Sequence, residues 1–300
     1  MLQRSLRFAV ALAMLAAGAA PVAASDTPDG ELRPRIESLI RKSGADVAVA
    51  YRTLDGREAM LIQPDVDFHA ASTMKVAVLV ELYRQARAGR LALDDEIPVV
   101  NEFHSIVDGS TFRLDTRDLS DAAVVRHLGG RLSYRALAES MITVSSNFAT
   151  NLIIERIGAK NVQATVEAMG AGGMRVLRGV EDNKAYEKGL NNTATARALL
   201  TLMEAIAKGT AVDQAASDEM AAILRRQTVN DRIPAGLPPG TAVAHKTGEI
   251  TRVRHDAAIV YAPRPFVLVI LIRGLDDGKK AAALAAGITR LIYDASNRSH

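Results

Sequence analysis

Segments patterned as β-strands lie only near the two ends of this chain, and the long stretch between them is patterned as helix. Strands far apart in sequence must therefore share one sheet. Residues 47–51 and 58–62 form the first pair, with the Asp55-Gly56 turn signal between them. After Pro238-Pro239-Gly240, residues 242–246, 256–261 and 266–273 supply three more strands. Apolar spacing predicts helices at 31–41 and 279–293 beside these strands. In the middle it predicts them at 72–87, 118–127, 134–141, 147–157, 162–169, 194–208 and 217–225. The expected fold class is α+β, a sheet assembled from 25–71 and 236–300 with an all-α lobe, 72–235, inserted. The polar stretch 179–192 has no apolar period and reads as a long loop, a class that usually carries function.

The 300 residues are 48% apolar and 24% charged, which excludes a disordered chain. The net charge of +3 includes Arg4 and Arg7 in a leading segment without acids, so the remainder is nearly neutral and no nucleic-acid partner is expected. Residues 8–20 are apolar and are followed by Pro21-Val22-Ala23-Ala24, which predicts a secretory signal peptide over 1–24. The run is shorter than the roughly 20 apolar residues of a spanning helix, so a periplasmic monomer without stable membrane association is expected after cleavage. Absence of Cys excludes disulfides, thiolate nucleophiles and Cys-ligated zinc. The six histidines show no metal-ligand spacing, and no metal or organic cofactor is expected.

Three short patterns carry chemistry. Ser72-Thr73-Met74-Lys75 opens a predicted helix and puts a hydroxyl and an amine on one face. Ser145-Ser146-Asn147 precedes another helix, and His245-Lys246-Thr247-Gly248 ends a predicted strand. Singly, each has a bland reading as a helix cap or a strand-ending turn. Together, in this order and on these elements, their joint chance is below about 0.01.

With these motifs the chain resembles the penicillin-recognising serine hydrolases, most closely the class A β-lactamases, over essentially its whole mature length. The resemblance implies a five-stranded antiparallel sheet flanked by helices beside an all-helical lobe. It also implies a β-lactam substrate, with Ser72 acylated and Lys75 as its base. A Lys must fall by about 3 pKa units to act near neutrality, and a neighbouring ammonium, Lys246, is the expected cause. Ser145 would protonate the departing nitrogen and Asn147 would bind the substrate's acylamino group. Lys246 and Thr247 would hold the ring carboxylate, and Gly248 would let the ligand approach the strand. The amides of Ser72 and Glu249 would form an oxyanion hole. Arg254 would be a second carboxylate anchor, with Arg252 competing for that role.

Hydrolysis of the acyl group needs a further base. The resemblance points to Glu181, 34 positions after Asn147, with Glu187 as the alternative. Class A loops usually read Glu-x-x-x-Asn, whereas Ala185 stands here, so Asn183 or the Asn191-Asn192 pair would hold the water. Arg178 would brace the loop against Asp182. Ser146 replaces the usual Asp of the second motif, and Glu249 is an unexpected carboxylate beside an anion site. The rival readings are a penicillin-binding carboxypeptidase or esterase-like hydrolase, and a noncatalytic sensor that traps β-lactam covalently.

Overall fold

The computed structural model describes residues 32–297, and the expected leader at 1–24 lies outside the described residues. Five strands form one antiparallel sheet: β1 (Asp46–Thr53), β2 (Ala59–Ile62), β3 (Ala242–Ile250), β4 (Val253–Tyr261) and β5 (Phe266–Arg273). Their order is β2-β1-β5-β4-β3, so the two ends of the chain meet where β1 pairs with β5. Val47, Val49, Leu268, Ile270 and Ile272 point to one face, under α1 (Leu32–Ser43) and α8 (Gly278–Ser296). Ala48, Ala50, Val267, Val269 and Leu271 point to the other, against the helical lobe. Because both faces are covered, the last strand reads as an uninterrupted apolar run rather than an alternating one.

The lobe contains α2 (Lys75–Arg87), α3 (Tyr134–Thr143), α4 (Asn147–Ile157), α5 (Ala159–Ala168), α6 (Ala196–Ala207) and α7 (Gln214–Leu224). Helix α2 runs through its centre and is buried on nearly every side, as its apolar composition requires. Three short ribbons interrupt the helices: Phe68–His69 with Thr193–Ala194, Glu96–Pro98 with Arg131–Ser133, and Phe103–His104 with Thr111–Phe112. Strands of two or three residues are too short to leave a period in the sequence.

Three local expectations are corrected. Ser72 does not open α2 but sits in a preceding 3-10 turn, Ala71–Met74, entered through Ala71 at φ 46°. Strand β3 does not stop at Gly248: Glu249 pairs with Arg254 and Ile250 with Val253. The hairpin closes through Thr251 and Arg252, the latter at φ 60°, so Arg252 belongs to the turn that precedes the strand carrying Arg254. The 179–192 loop also holds a helical turn, Asn183–Glu187, capped by the Asp182 carboxylate on the Ala185 amide at 3.1 Å.

Candidate active site

The turn carrying Ser72 is fixed from both sides. The Ala70 amide donates to the Asn192 carbonyl at 2.9 Å, and the Ala71 amide donates to His69 Nδ1 at 3.0 Å. On the sheet side, a Cβ on Gly248 would lie 3.0 Å from Thr73 Cγ2 and 3.1 Å from the Thr73 amide nitrogen. The missing side chain thus makes room for the Ser72 turn. Behind this contact His255 is buried, its Nε2 donating to the His69 carbonyl and its Nδ1 accepting from Ile272. Burial pushes it down to about 4, so it is a neutral structural histidine near pH 7.

Ser72 opens onto a cleft of about 360 Å³ lined also by Asn147, Glu181 and Glu249, within the range for small-molecule sites. Two buried lysines lie beneath it. Lys75 Nζ donates to the Ser145 carbonyl at 2.6 Å and to Asn147 Oδ1 at 2.8 Å, with a longer contact of 3.3 Å to Ser145 Oγ. Lys246 Nζ donates to the same Ser145 Oγ at 3.0 Å. Lys75, Ser145 and Lys246 are therefore brought together, and both amines serve one hydroxyl oxygen. Among the described residues Ser72 Oγ has no hydrogen-bond partner, a departure from the expected Lys75 contact. The carbonyl and amide oxygens of the 145–147 turn are stronger acceptors and hold the amine instead.

The electrostatics also differ from expectation. Lys75 is pushed down to about 7, but by burial, which the charges of Asp121, Glu181 and Asp118 oppose. Repulsion acts in the other direction: burial first, and then the Lys75 charge, hold Lys246 well below the ordinary lysine range.

Glu181 faces these groups from the long loop. Asn147 Nδ2 donates to Glu181 Oε1 at 2.7 Å, so the amide of Asn147 bridges Glu181 and Lys75. Glu181 lies at φ 61° and Ser145 at φ 62°. Such left-handed residues cost about 1–3 kcal/mol and collect at functional sites. Partial burial in the cleft raises the Glu181 carboxyl, partly offset by the Asn147 hydrogen bond. The backbone that aims it is clamped by Asn151, which accepts from the Val180 amide at 2.7 Å and donates to the Val180 carbonyl at 2.9 Å. Gly179 is required there, because a Cβ would meet Asn151 Oδ1 at 2.3 Å. Asn151 is one helical turn beyond Asn147, a spacing that could have drawn attention to it.

The loop's internal bracing is not the expected one. Arg178 donates to the Leu190 carbonyl and Asn191 Oδ1, while Asp182 accepts from Ser105 and the Ile106 amide. Asn192 is committed to the Leu177 and Arg178 backbone, leaving Asn183 as the loop amide at the cleft without such a commitment. Glu187 is exposed and is not among the cleft-lining residues.

A family model described as the beta-lactamase enzyme family matches residues 31–296. The chain belongs to this beta-lactamase family. Among similar curated proteins, the beta-lactamase of Bacillus licheniformis is 26% identical over 85% of this chain and 77% of that protein. Beta-lactamase AST-1 of Nocardia asteroides is 28% identical over 92% and 87%. Among solved structures, a beta-lactamase from Chitinophaga pinensis superposes with TM-score 0.78 at 22% identity, covering 89% of this chain and all of that one. An acyl-enzyme complex of a PBP-A mutant with penicillin G superposes with TM-score 0.74 at 27% identity, covering 88% and 96%.

Two residues of this family member were not visible in the motifs. Asp121, buried in the turn Leu119–Asp121, accepts from Ser146 Oγ and from the Phe148 amide at 3.0 Å. It restores a carboxylate to the 145–147 turn from another part of the chain, where Ser146 replaces the usual Asp. No local signal joins positions so distant. Because its charge stabilises the Lys75 ammonium, Asp121→Asn is expected to lower the Lys75 pKa further. The acid limb of kcat/KM should then move to lower pH by about half a unit, a shift that a purely structural loss would not produce. The second missed residue is Arg232, only 1% exposed, whose Nη2 donates to Glu249 at 2.6 Å. Arg254 also pairs with Glu249, and Arg252 with Asp276. Neither arginine stands free as the expected carboxylate anchor.

Proposed function

We propose that this protein is a serine β-lactamase, acylated on Ser72 and regenerated by a water that Glu181 activates. One observation carries the reading. Glu181 is joined through Asn147 to Lys75, and Lys75 through Ser145 to Lys246, and Glu181 and Asn147 line the cleft onto which Ser72 opens. A second base on that cleft is what repeated turnover requires and single acylation does not.

Near neutrality Lys75 has a substantial neutral fraction and can take the Ser72 proton once its amine turns from the 145–147 carbonyls. Ser72 Oγ bonds to the lactam carbonyl carbon, while the Ser72 and Glu249 amides hold the developing oxyanion, each worth about 3 kcal/mol. The C–N bond then breaks. Ser145, whose oxygen receives both lysines, gives its own proton to the leaving nitrogen and is reprotonated by a lysine. Lys246 and Thr247 attract the substrate's carboxylate, and Asn147 its acylamino group. Glu181 next takes a proton from water as the oxygen attacks the ester, and Ser72 departs with that proton. One water has been added across the amide.

On this reading the protein is exported by the leader at 1–24 and works as a periplasmic monomer. Among the described residues no helix is long and apolar enough to cross a membrane. The likeness to PBP-A favours a second reading, a penicillin-binding peptidase or sensor that releases the acyl group slowly. Mixing the mature protein with a chromogenic cephalosporin separates the two. Many product molecules per protein are expected, and a single stoichiometric burst would reject hydrolysis in favour of the second reading.

A further inference from the structure

Glu249 follows Lys246-Thr247-Gly248 on β3, and its side chain is 50% exposed at the boundary between the Ser72 cleft and the groove beside Arg254. Its Oε2 accepts from Arg232 Nη2 at 2.6 Å and also from Arg254 Nη1. Arg232 is buried, its Nη1 donating to the His255 carbonyl at 3.2 Å and its Nε lacking a hydrogen bond. Asp231 lies 3.5 Å from that Nε. Arg254 crosses the start of α8 to reach the same carboxylate, passing where a Cβ on Gly278 would lie 2.1 Å from its Nη2. A buried guanidinium is costly unless an anion accompanies it. Two guanidiniums converging on one oxygen of an exposed, rotatable carboxylate form an anion subsite whose present occupant can leave.

We propose that Glu249 is a built-in carboxylate occupying the Arg232–Arg254 anion subsite, and that an acidic substrate must displace it to place its own carboxylate there. Glu249 thereby sets the cleft's selectivity against β-lactams that carry a free carboxylate. This rests on the β-lactam reading above, but the subsite itself does not. When Glu249 swings into solvent, Arg232 stays anchored by the His255 carbonyl and Asp231, and Arg254 has no other polar side-chain partner among the described residues, so both guanidiniums are left to an incoming carboxylate.

The test uses Glu249→Gln, which keeps an acceptor oxygen for Arg232 and removes the charge, and Glu249→Ser, which removes the reach. Acylation rates of Ser72 by benzylpenicillin and by its methyl ester are followed by intact mass with Glu181→Gln present in the parent and both variants, so that the acyl-enzyme accumulates. The acid-to-ester rate ratio is expected to rise about tenfold in each variant. A ratio that stays constant or falls overturns the selectivity role. In parallel, benzoate is titrated while the Nε–Hε NMR signals of Arg232 and Arg254 are observed. These should shift at about tenfold lower benzoate in the variants than in the parent. Equal responses, or none, overturn the subsite. A benzoate response without acylation of any of these proteins refutes the β-lactam reading and leaves the subsite standing.

Discussion

Glu181→Gln protein given benzylpenicillin is expected to stop as a stable acyl-enzyme, its mass raised by one substrate on Ser72, with steady-state turnover down about a thousandfold. That is the scale on which removing a positioned general base acts. Gln retains an oxygen for Asn147 Nδ2, so the clamp that positions residue 181 survives and the loss is one of basicity. Acylation should persist, because Ser72, Lys75 and Ser145 are untouched. The raised Glu181 carboxyl also gives a sign for pH dependence. The base works only when ionised, so the acid limb of deacylation should lie above the ordinary glutamate range. Unchanged turnover in this variant would place the base elsewhere.

Lys75→Met is expected to separate function from stability. Acylation should fall by about a thousandfold or more, since on the proposed reading Lys75 is the base that receives the Ser72 proton. Stability should rise. Lys75 lies near 10.5 in the unfolded chain and about 7 in the wholly buried folded site. The unfolded state therefore binds more protons between those values, so the parent gains stability as pH climbs through that window and carries the full penalty at pH 7 and below. The penalty is on the order of 5 kcal/mol. Loss of donors to the Ser145 carbonyl and Asn147 Oδ1 returns about 2 kcal/mol of it. A net gain of about 3 kcal/mol at pH 6 would raise Tm by about 8 °C, and the gain should shrink by pH 9. Thermal unfolding at the two pH values measures this, and a less stable variant at pH 6 would show that burial is not the dominant force on Lys75.

Much of the fold could be read from local order along the chain. Strand composition at the two ends, helical spacing between them and three motifs at element starts led to one antiparallel sheet with an inserted helical lobe, and to the family that this chain belongs to. These features are legible because periodicity and short motifs depend on neighbours a few residues apart. The two-residue ribbons, the 3-10 turn under Ser72 and the extension of β3 to Ile250 were not, because pairing partners and left-handed residues such as Ala71 and Arg252 decide them.

Residue identity alone determined which chemistry was available: hydroxyls at 72 and 145, amines at 75 and 246, and a carboxylate at 181, with no thiol anywhere in the chain. Tertiary structure decided how those groups are held and charged. Desolvation, and not the second amine, lowers Lys75, because a wholly buried ammonium loses more by leaving water than a neighbour's charge removes. Asp121 reaches Ser146, and Arg232 reaches Glu249, across 25 and 17 positions of chain. Such contacts leave no trace in local composition because they are made by the path of the backbone, which only the packed sheet and helices specify.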